Sequence, residues 1–283
     1  MRVVKDQMGY SIAIPATINR IVCLVPSITE LLCDLGLEDK IVGITKFCIH
    51  PESCFKSKVR IGGTKDFDVD AIRLLNPDII IANKEENQKD LLINLKKYFP
   101  VWISDVETTD QAVEMIELLG EVFKRPIESK DLIKKINFNF DKIESIDKEI
   151  FVAYLIWKKP YMSINGNTYI NNLLQKCGFK NVFSASPSRY PKISAELLQK
   201  AKPDVIFLSS EPYPFKEKHF TELQEICPNA RIFLVNGEMF SWYGSRMLKA
   251  PVYLNKLILK LKSAPVTPNV DMENINIAPR NVA

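Results

Sequence analysis

Two segments 126 residues apart carry the same short grammar. In the first, Asp70 opens a helical stretch, Asn76-Pro77-Asp78 turns it, and Ile79-Ile80-Ile81-Ala82 follows as an apolar run. In the second, Glu196 opens the stretch, Lys202-Pro203-Asp204 turns it, and Val205-Ile206-Phe207-Leu208 follows. One Pro-Asp match would be noise. A helix, a Pro-Asp turn and a buried-strand pattern at one common offset mark an internal repeat at lobe scale.

The segments around each copy read the same way. Ile21-Val22-Cys23-Leu24-Val25 is short, apolar and closed by Pro26, the pattern of a strand buried on both faces. Ser27-Ile28-Thr29-Glu30 fits a capping box, and Leu31, Leu32 and Leu35 carry a helical stripe to Gly36. Ile41-Val42-Gly43-Ile44 is the next strand. Strand, helix and strand within 25 residues make a βαβ unit and hence a parallel sheet. Amphipathic stretches over 91–98 and 111–123 flank the strand Val101-Trp102-Ile103. The second series runs from Phe151-Val152-Ala153-Tyr154-Leu155-Ile156 through helices over 169–177 and 196–201 to Ile232-Phe233-Leu234-Val235 and a last helix over 251–261.

Between the series, Leu132, Ile136, Phe140 and Ile143 lie on one face of a long helix over 127–146 that contains no Gly. The expected fold class is therefore α/β, with two similar parallel-sheet lobes joined by one long bridging helix. The expected boundaries are 1–124 for the first lobe, 125–149 for the bridge and 150–262 for the second. Residues 263–283, with Pro265, Pro268 and Pro279, are expected to be a disordered tail.

Composition excludes several functions. Lys plus Arg number 38 against 34 Asp plus Glu, and a net charge of +4 is too small and scattered for a nucleic-acid binder. Two His cannot build a three-His metal site. Neither GxGxxG nor GxxxxGK[ST] occurs, so nucleotide chemistry is not expected. No apolar run approaches the roughly 18 residues that cross a bilayer, and no membrane insertion is expected. Residues 1–20 hold no secretory apolar region, which leads to the expectation of a cytoplasmic protein; a periplasmic or cell-surface site would require a signal removed from the native chain. The six cysteines are scattered without a CxxC pair and read as reduced thiols.

Several strings resemble the helical-backbone substrate-binding proteins of ABC importers, the family of cobalamin, ferric-siderophore and haem receptors. They are Asp6-Gln7-Met8-Gly9 with Ile14-Pro15 and Arg20-Ile21-Val22, then Val25-Pro26-Ser27-Ile28-Thr29-Glu30-Leu31 and Arg60-Ile61-Gly62-Gly63. Asn167-Thr168-Tyr169-Ile170-Asn171-Asn172-Leu173-Leu174, Gly178 and Asn181-Val182 complete the set, so the likeness spans about residues 5–262. Phe179 stands where a second Gly is common in the family. The resemblance implies a ligand cleft between the lobes. It also implies a metal–organic ligand, cobalamin or another corrinoid first, otherwise a ferric siderophore or haem. It implies no resident cofactor, no catalysis, a monomer, and an ABC permease as partner. The alternative is an intracellular metal- or corrinoid-handling enzyme or chaperone of the same fold.

Ligands of open α/β sheets sit beyond the carboxyl ends of the strands, which selects loops. In the first lobe these supply Ser27, then Phe47, Cys48 and His50, then Gly63, then Lys84. Cys48 and His50 are the candidate metal ligands. In the second they supply Trp157 and Tyr161, Tyr213 and Phe215, then Trp242, Tyr243 and Arg246. Aromatic rings with polar tips suit a broad planar ligand. By resemblance Arg246 is a cleft arginine for ligand carboxylates or amides, its bland role being a salt bridge. Asp70 and Glu196, one per lobe, correspond to the family's permease-docking acids; their bland role is to complement a helix dipole. His219, in a Lys/Glu-rich stretch, reads as a solvated surface residue.

Overall fold

The computed structural model describes residues 1–146, 148–263 and 270–271, and divides them into two α/β units. The first begins with an antiparallel pair, β1 (Arg2–Lys5) and β2 (Ser11–Ile14). There follow β3 (Ile21–Cys23), α1 (Pro26–Asp34), β4 (Ile41–Ile44), α2 (Glu52–Ser57), β5 (Val59–Arg60), α3 (Val69–Leu75), β6 (Ile79–Asn83), α4 (Lys89–Leu95) and β7 (Val101–Ser104). The strands form one parallel sheet in the order β5-β4-β3-β6-β7. Every residue of β3, β6 and β7 is buried, which is why these strands read as continuous apolar runs rather than as alternation. α5 (Thr109–Val122) and α6 (Pro126–Phe140) come next.

The second unit contains β8 (Ile150–Leu155), β9 (Tyr161–Met162), α7 (Tyr169–Lys176), β10 (Phe179–Asn181), β11 (Lys192–Ile193), α8 (Ala195–Ala201), β12 (Val205–Ser209), α9 (Phe220–Ile226), β13 (Arg231–Val235), α10 (Glu238–Ser241), α11 (Ala250–Ser263) and β14 (Val270–Asp271). Its parallel sheet has the order β10-β8-β12-β13-β14, and β9 pairs with β11 in an antiparallel ribbon. In each unit the first strand of the parallel sheet, β3 or β8, is flanked by the next on one side and by the Pro-Asp strand on the other. The strand order reverses there, so the ends of β3 and β8 are the ligand-binding positions of this architecture.

The internal repeat has a physical cause. The Asp78 amide donates to the Arg20 carbonyl at 2.8 Å, and the Asp204 amide donates to the Phe151 carbonyl at 2.8 Å. The Asp78 carboxylate accepts from the amides of Asn19 and Arg20, and that of Asp204 accepts from the amide of Phe151. Asn76 and Lys202 end their helices in the left-handed region, while Asp68 and Ser194 cap the starts with side-chain oxygens. Each copy thus stops a helix and ties the new strand to the start of the sheet's first strand.

Three expectations change. Helix α6 ends at Phe140 rather than at residue 146, because its last bonds shorten: the amides of Lys142 and Ile143 donate to carbonyls three residues back. The sequence there is Asn137-Phe138-Asn139, of low helix propensity. Val270 and Asp271 pair with β13 as an edge strand instead of joining a disordered tail; 264–269 and 272–283 lie outside the described residues. The first unit comprises residues 1–106, 110–136 and 243–246, and the second comprises 107–109, 137–242 and the described residues from 247 on.

Candidate functional site

At the end of β3 the chain enters α1 through Val25, the N-cap, with Pro26 in the first turn and no side-chain cap. The expected capping box of Ser27 and Glu30 is therefore not formed: Pro26, with its fixed φ and missing N–H, already suits the first turn and starts the helix two residues earlier. Ser27 is buried, and its Oγ has no hydrogen-bond partner among the described residues. Glu30 is buried too, and its Oε2 accepts from Arg246 Nε at 2.9 Å. The structure thus commits this edge of the Arg246 guanidinium to an internal ion pair, the salt bridge that stood beside the ligand role implied by resemblance.

The same helix holds Cys48. Thr29 Oγ1 lies 3.0 Å from the Val25 carbonyl oxygen and 3.2 Å from Cys48 Sγ. The Thr29 hydroxyl is thus placed to donate to either the carbonyl or the sulfur. Thr45 Oγ1 also lies 3.2 Å from Cys48 Sγ. Burial outweighs both hydroxyls and pushes the thiol up to about 11. Cys48 is a protonated core thiol, which corrects its assignment as a metal-ligating thiolate.

The neighbours of Cys48 differ. Phe47 is half exposed, with the Lys46 ammonium 5.3 Å from its ring centroid. His50 is half-buried just before α2. At Gly63 a Cβ would lie 2.0 Å from Asp66 Oδ1 and 3.3 Å from the Phe47 ring, so a side chain there would push the exposed Asp66 carboxylate aside. Lys84 Nζ pairs with Asp105 at 2.7 Å on the surface.

Tyr243 and Arg246 belong to the first unit, which corrects their assignment to the second lobe. Gly244, at φ 93°, makes the turn; a Cβ there would lie 3.2 Å from Leu31 on α1. Tyr243 is buried and its hydroxyl donates to Glu86 Oε1 at 3.3 Å. Burial and the Glu86 charge raise the phenol well above its ordinary value.

In the second unit, Trp157 follows β8 and is 40% exposed. Its ring meets Tyr213 edge-on at 5.7 Å, and Tyr213 is half-buried after β12. These two present an aromatic face. Tyr161 and Phe215 do not: they stack at 6.5 Å inside the core with Leu198, Leu208 and Leu223, a correction to their ligand-facing assignment. β9 pairs with β11, so Tyr161 is a strand residue whose ring turns inward and whose hydroxyl donates to Glu222 Oε1 at 2.7 Å. Trp242 is also buried, and Glu211 Oε1 accepts from Trp242 Nε1 at 3.0 Å and from Ser241 Oγ at 2.7 Å. Glu211 is thus the organising group of the β12 and β13 loops; a lone Glu in a Pro-rich loop gave no sign of this.

His219 is buried rather than solvated. Its ring lies 5.6 Å from that of Tyr213 and 5.4 Å from that of Phe215. Asp70 sits in the first turn of α3, 88% exposed and 3.5 Å from Arg73. Glu196, in the first turn of α8, is exposed, and the Ser194 hydroxyl lowers its carboxyl.

Among the described residues no three His, Cys, Asp or Glu side chains gather to hold a metal ion, and no helix is long and apolar enough to cross a membrane.

Residues 21–228 match the periplasmic binding protein family. The chain belongs to that family. It is 24% identical over 239 residues to the vitamin B12-binding protein of Vibrio campbellii, covering 82% of this chain and 86% of that one. The fold is shared with the periplasmic vitamin B12 binding protein of Vibrio cholerae, at a TM-score of 0.71 and 21% identity over 88% of this chain and all of that one. It is shared also with the molybdate periplasmic binding protein of Haemophilus influenzae, at a TM-score of 0.76 and 17% identity over 93% and 92%. The chain is a substrate-binding protein of the two-lobed α/β kind. Membership in a periplasmic family overturns the cytoplasmic expectation. That expectation rested on the opening residues alone, and the binding domain is what the family shares.

Proposed function

We propose that this periplasmic binding protein captures cobalamin or a closely related corrinoid and delivers it, without chemical turnover, to an ABC permease. The observation that carries the reading is the aromatic face of Trp157 and Tyr213 at the strand ends of the second unit. Relatives from Vibrio, Photorhabdus and Yersinia that bind vitamin B12 support it. A corrin offers a broad apolar face rimmed by amides, and indole and phenol rings match that mix of flat contact and polar tip. In the first unit Phe47 is half exposed and His50 half-buried after β4, and His50 is the remaining candidate to approach the metal. Exposed Asp70 and Glu196, at equivalent positions in the repeat, are the proposed contacts to basic pockets of the permease. The protein is proposed to act as a monomer and to hold no resident cofactor.

Titration calorimetry with cyanocobalamin, haemin and a ferric catecholate tests the ligand. One-to-one binding is expected for cyanocobalamin, at least tenfold tighter than for the other two. No heat with cyanocobalamin, or tighter binding of either competitor, would overturn the assignment.

A further inference from the structure

Behind the Trp157–Tyr213 face lies a histidine with every polar atom engaged. Nδ1 of His219 is 2.9 Å from both the main-chain nitrogen and the main-chain oxygen of Lys216. The Lys216 N–H donates to Nδ1, closing the turn as a cap in which the His219 amide also donates to the Lys216 carbonyl at 2.9 Å. Nδ1 is then the acceptor, and the proton sits on Nε2, 3.4 Å from the Tyr213 hydroxyl. Tyr213 in turn carries its ring against Trp157.

We infer that His219 is a positioning residue: in its neutral form it fixes the Tyr213–Trp157 face, and its protonation loosens that face and lowers ligand affinity in acid. This rests on the reading that Trp157 and Tyr213 meet the ligand.

The groups around the imidazole explain the direction. Lys218 lies on its own turn, Lys158 comes from the segment after β8, Glu222 from α9, and the phenol of Tyr213 from the loop after β12. The Glu222 carboxylate favours the imidazolium but is already held by Lys158 Nζ and the Tyr161 hydroxyl. Burial is the largest influence and, with the two ammonium groups, holds the ring below its ordinary value against the opposing pull of the Lys216 main chain and Glu222. A proton on Nδ1 would also remove the acceptor that the Lys216 N–H has in the neutral form. The neutral form is therefore the one the fold stabilises. As pH falls from about 6.5, a state in which the ring has swung out takes up the proton first, and the closed arrangement of Tyr213 loses ground.

Two readouts test this. In the ligand-free protein, Trp157 fluorescence should change between pH 7.5 and 5.0. The change should be absent in His219→Gln, which cannot ionise, and in Trp157→Phe, which removes the reporter. With cyanocobalamin, wild-type affinity should fall about tenfold from pH 7.5 to 5.5, while the affinity of His219→Gln should change less than twofold. Should His219→Gln fail to fold, Tyr213→Phe, which deletes only the hydroxyl, should reduce the fluorescence change by more than half. A wild-type protein with no fluorescence change, or an equal change in His219→Gln or in Tyr213→Phe, overturns the inference. A His219-dependent fluorescence change without cyanocobalamin binding at any pH supports the positioning role and overturns the ligand assignment instead.

Discussion

Arg246 Nε donates to Glu30 Oε2 at 2.9 Å across 216 residues of sequence, with both side chains buried. Breaking one side of such a pair leaves a charge without its counter-ion in a low-dielectric interior, at a cost of about 3–5 kcal/mol. Arg246→Met and Glu30→Leu should each lower the urea midpoint strongly. The double variant should recover much of the loss, because no orphaned charge remains. Equal and additive losses would show that the pair is not coupled.

Trp157 and Trp242 should separate into contact and support. Trp157→Ala removes a half-exposed ring and should weaken cyanocobalamin binding about ten- to a hundredfold with little loss of stability. Trp242→Ala empties a buried site and leaves Glu211 short of one donor, so it should cost about 3–5 kcal/mol of stability. Calorimetry and urea melts on both variants check this; reversed outcomes would refute the division.

The thiol and the imidazole beside Phe47 should also divide. With its thiol pushed up to about 11, Cys48 should react with an aromatic disulfide reagent at pH 8 roughly a hundredfold more slowly than a free cysteine. The raised value implies stability that is fully present below about pH 8.5 and lost as pH rises toward 11. Cys48→Ser should leave the visible spectrum of bound aquocobalamin unchanged, whereas His50→Ala should shift it if His50 meets the metal. An unshifted spectrum in both variants would remove this loop from metal contact.

Exposed acids should matter only for delivery. Asp70→Ala with Glu196→Ala should leave cyanocobalamin affinity unchanged, since neither side chain contributes to either core. Uptake through a cognate permease in whole cells should collapse. Wild-type uptake by the double variant would end the docking assignment.

The helix-stopping and strand-tying roles of Asn76-Pro77-Asp78 and Lys202-Pro203-Asp204 were legible because they are local. Each uses residues within a few positions of one another, plus one strand start. The strand interiors were legible for the same reason: full burial on both faces writes itself as an apolar run. The β9–β11 ribbon was not, because strands of two residues carry no period. Local pattern alone therefore leaves Tyr161 in a loop.

What the sequence by itself determined is the doubled α/β architecture, its parallel sheets, and the loops at the strand ends that supply candidate ligand residues. Only the tertiary structure decided which of those residues keep a surface. Tyr161, Phe215 and Cys48 lie close in sequence to Trp157, Tyr213, Phe47 and His50, and Trp242 and Tyr243 follow β13 in the same strand-end position, yet all five are buried. The partners that bury them, Glu222, Glu211, Glu86 and Thr29, lie on other elements. Local pattern reports which way a strand or helix faces. It does not report which distant carboxylate or hydroxyl will meet a loop side chain, because that pairing is set by the three-dimensional path of the chain.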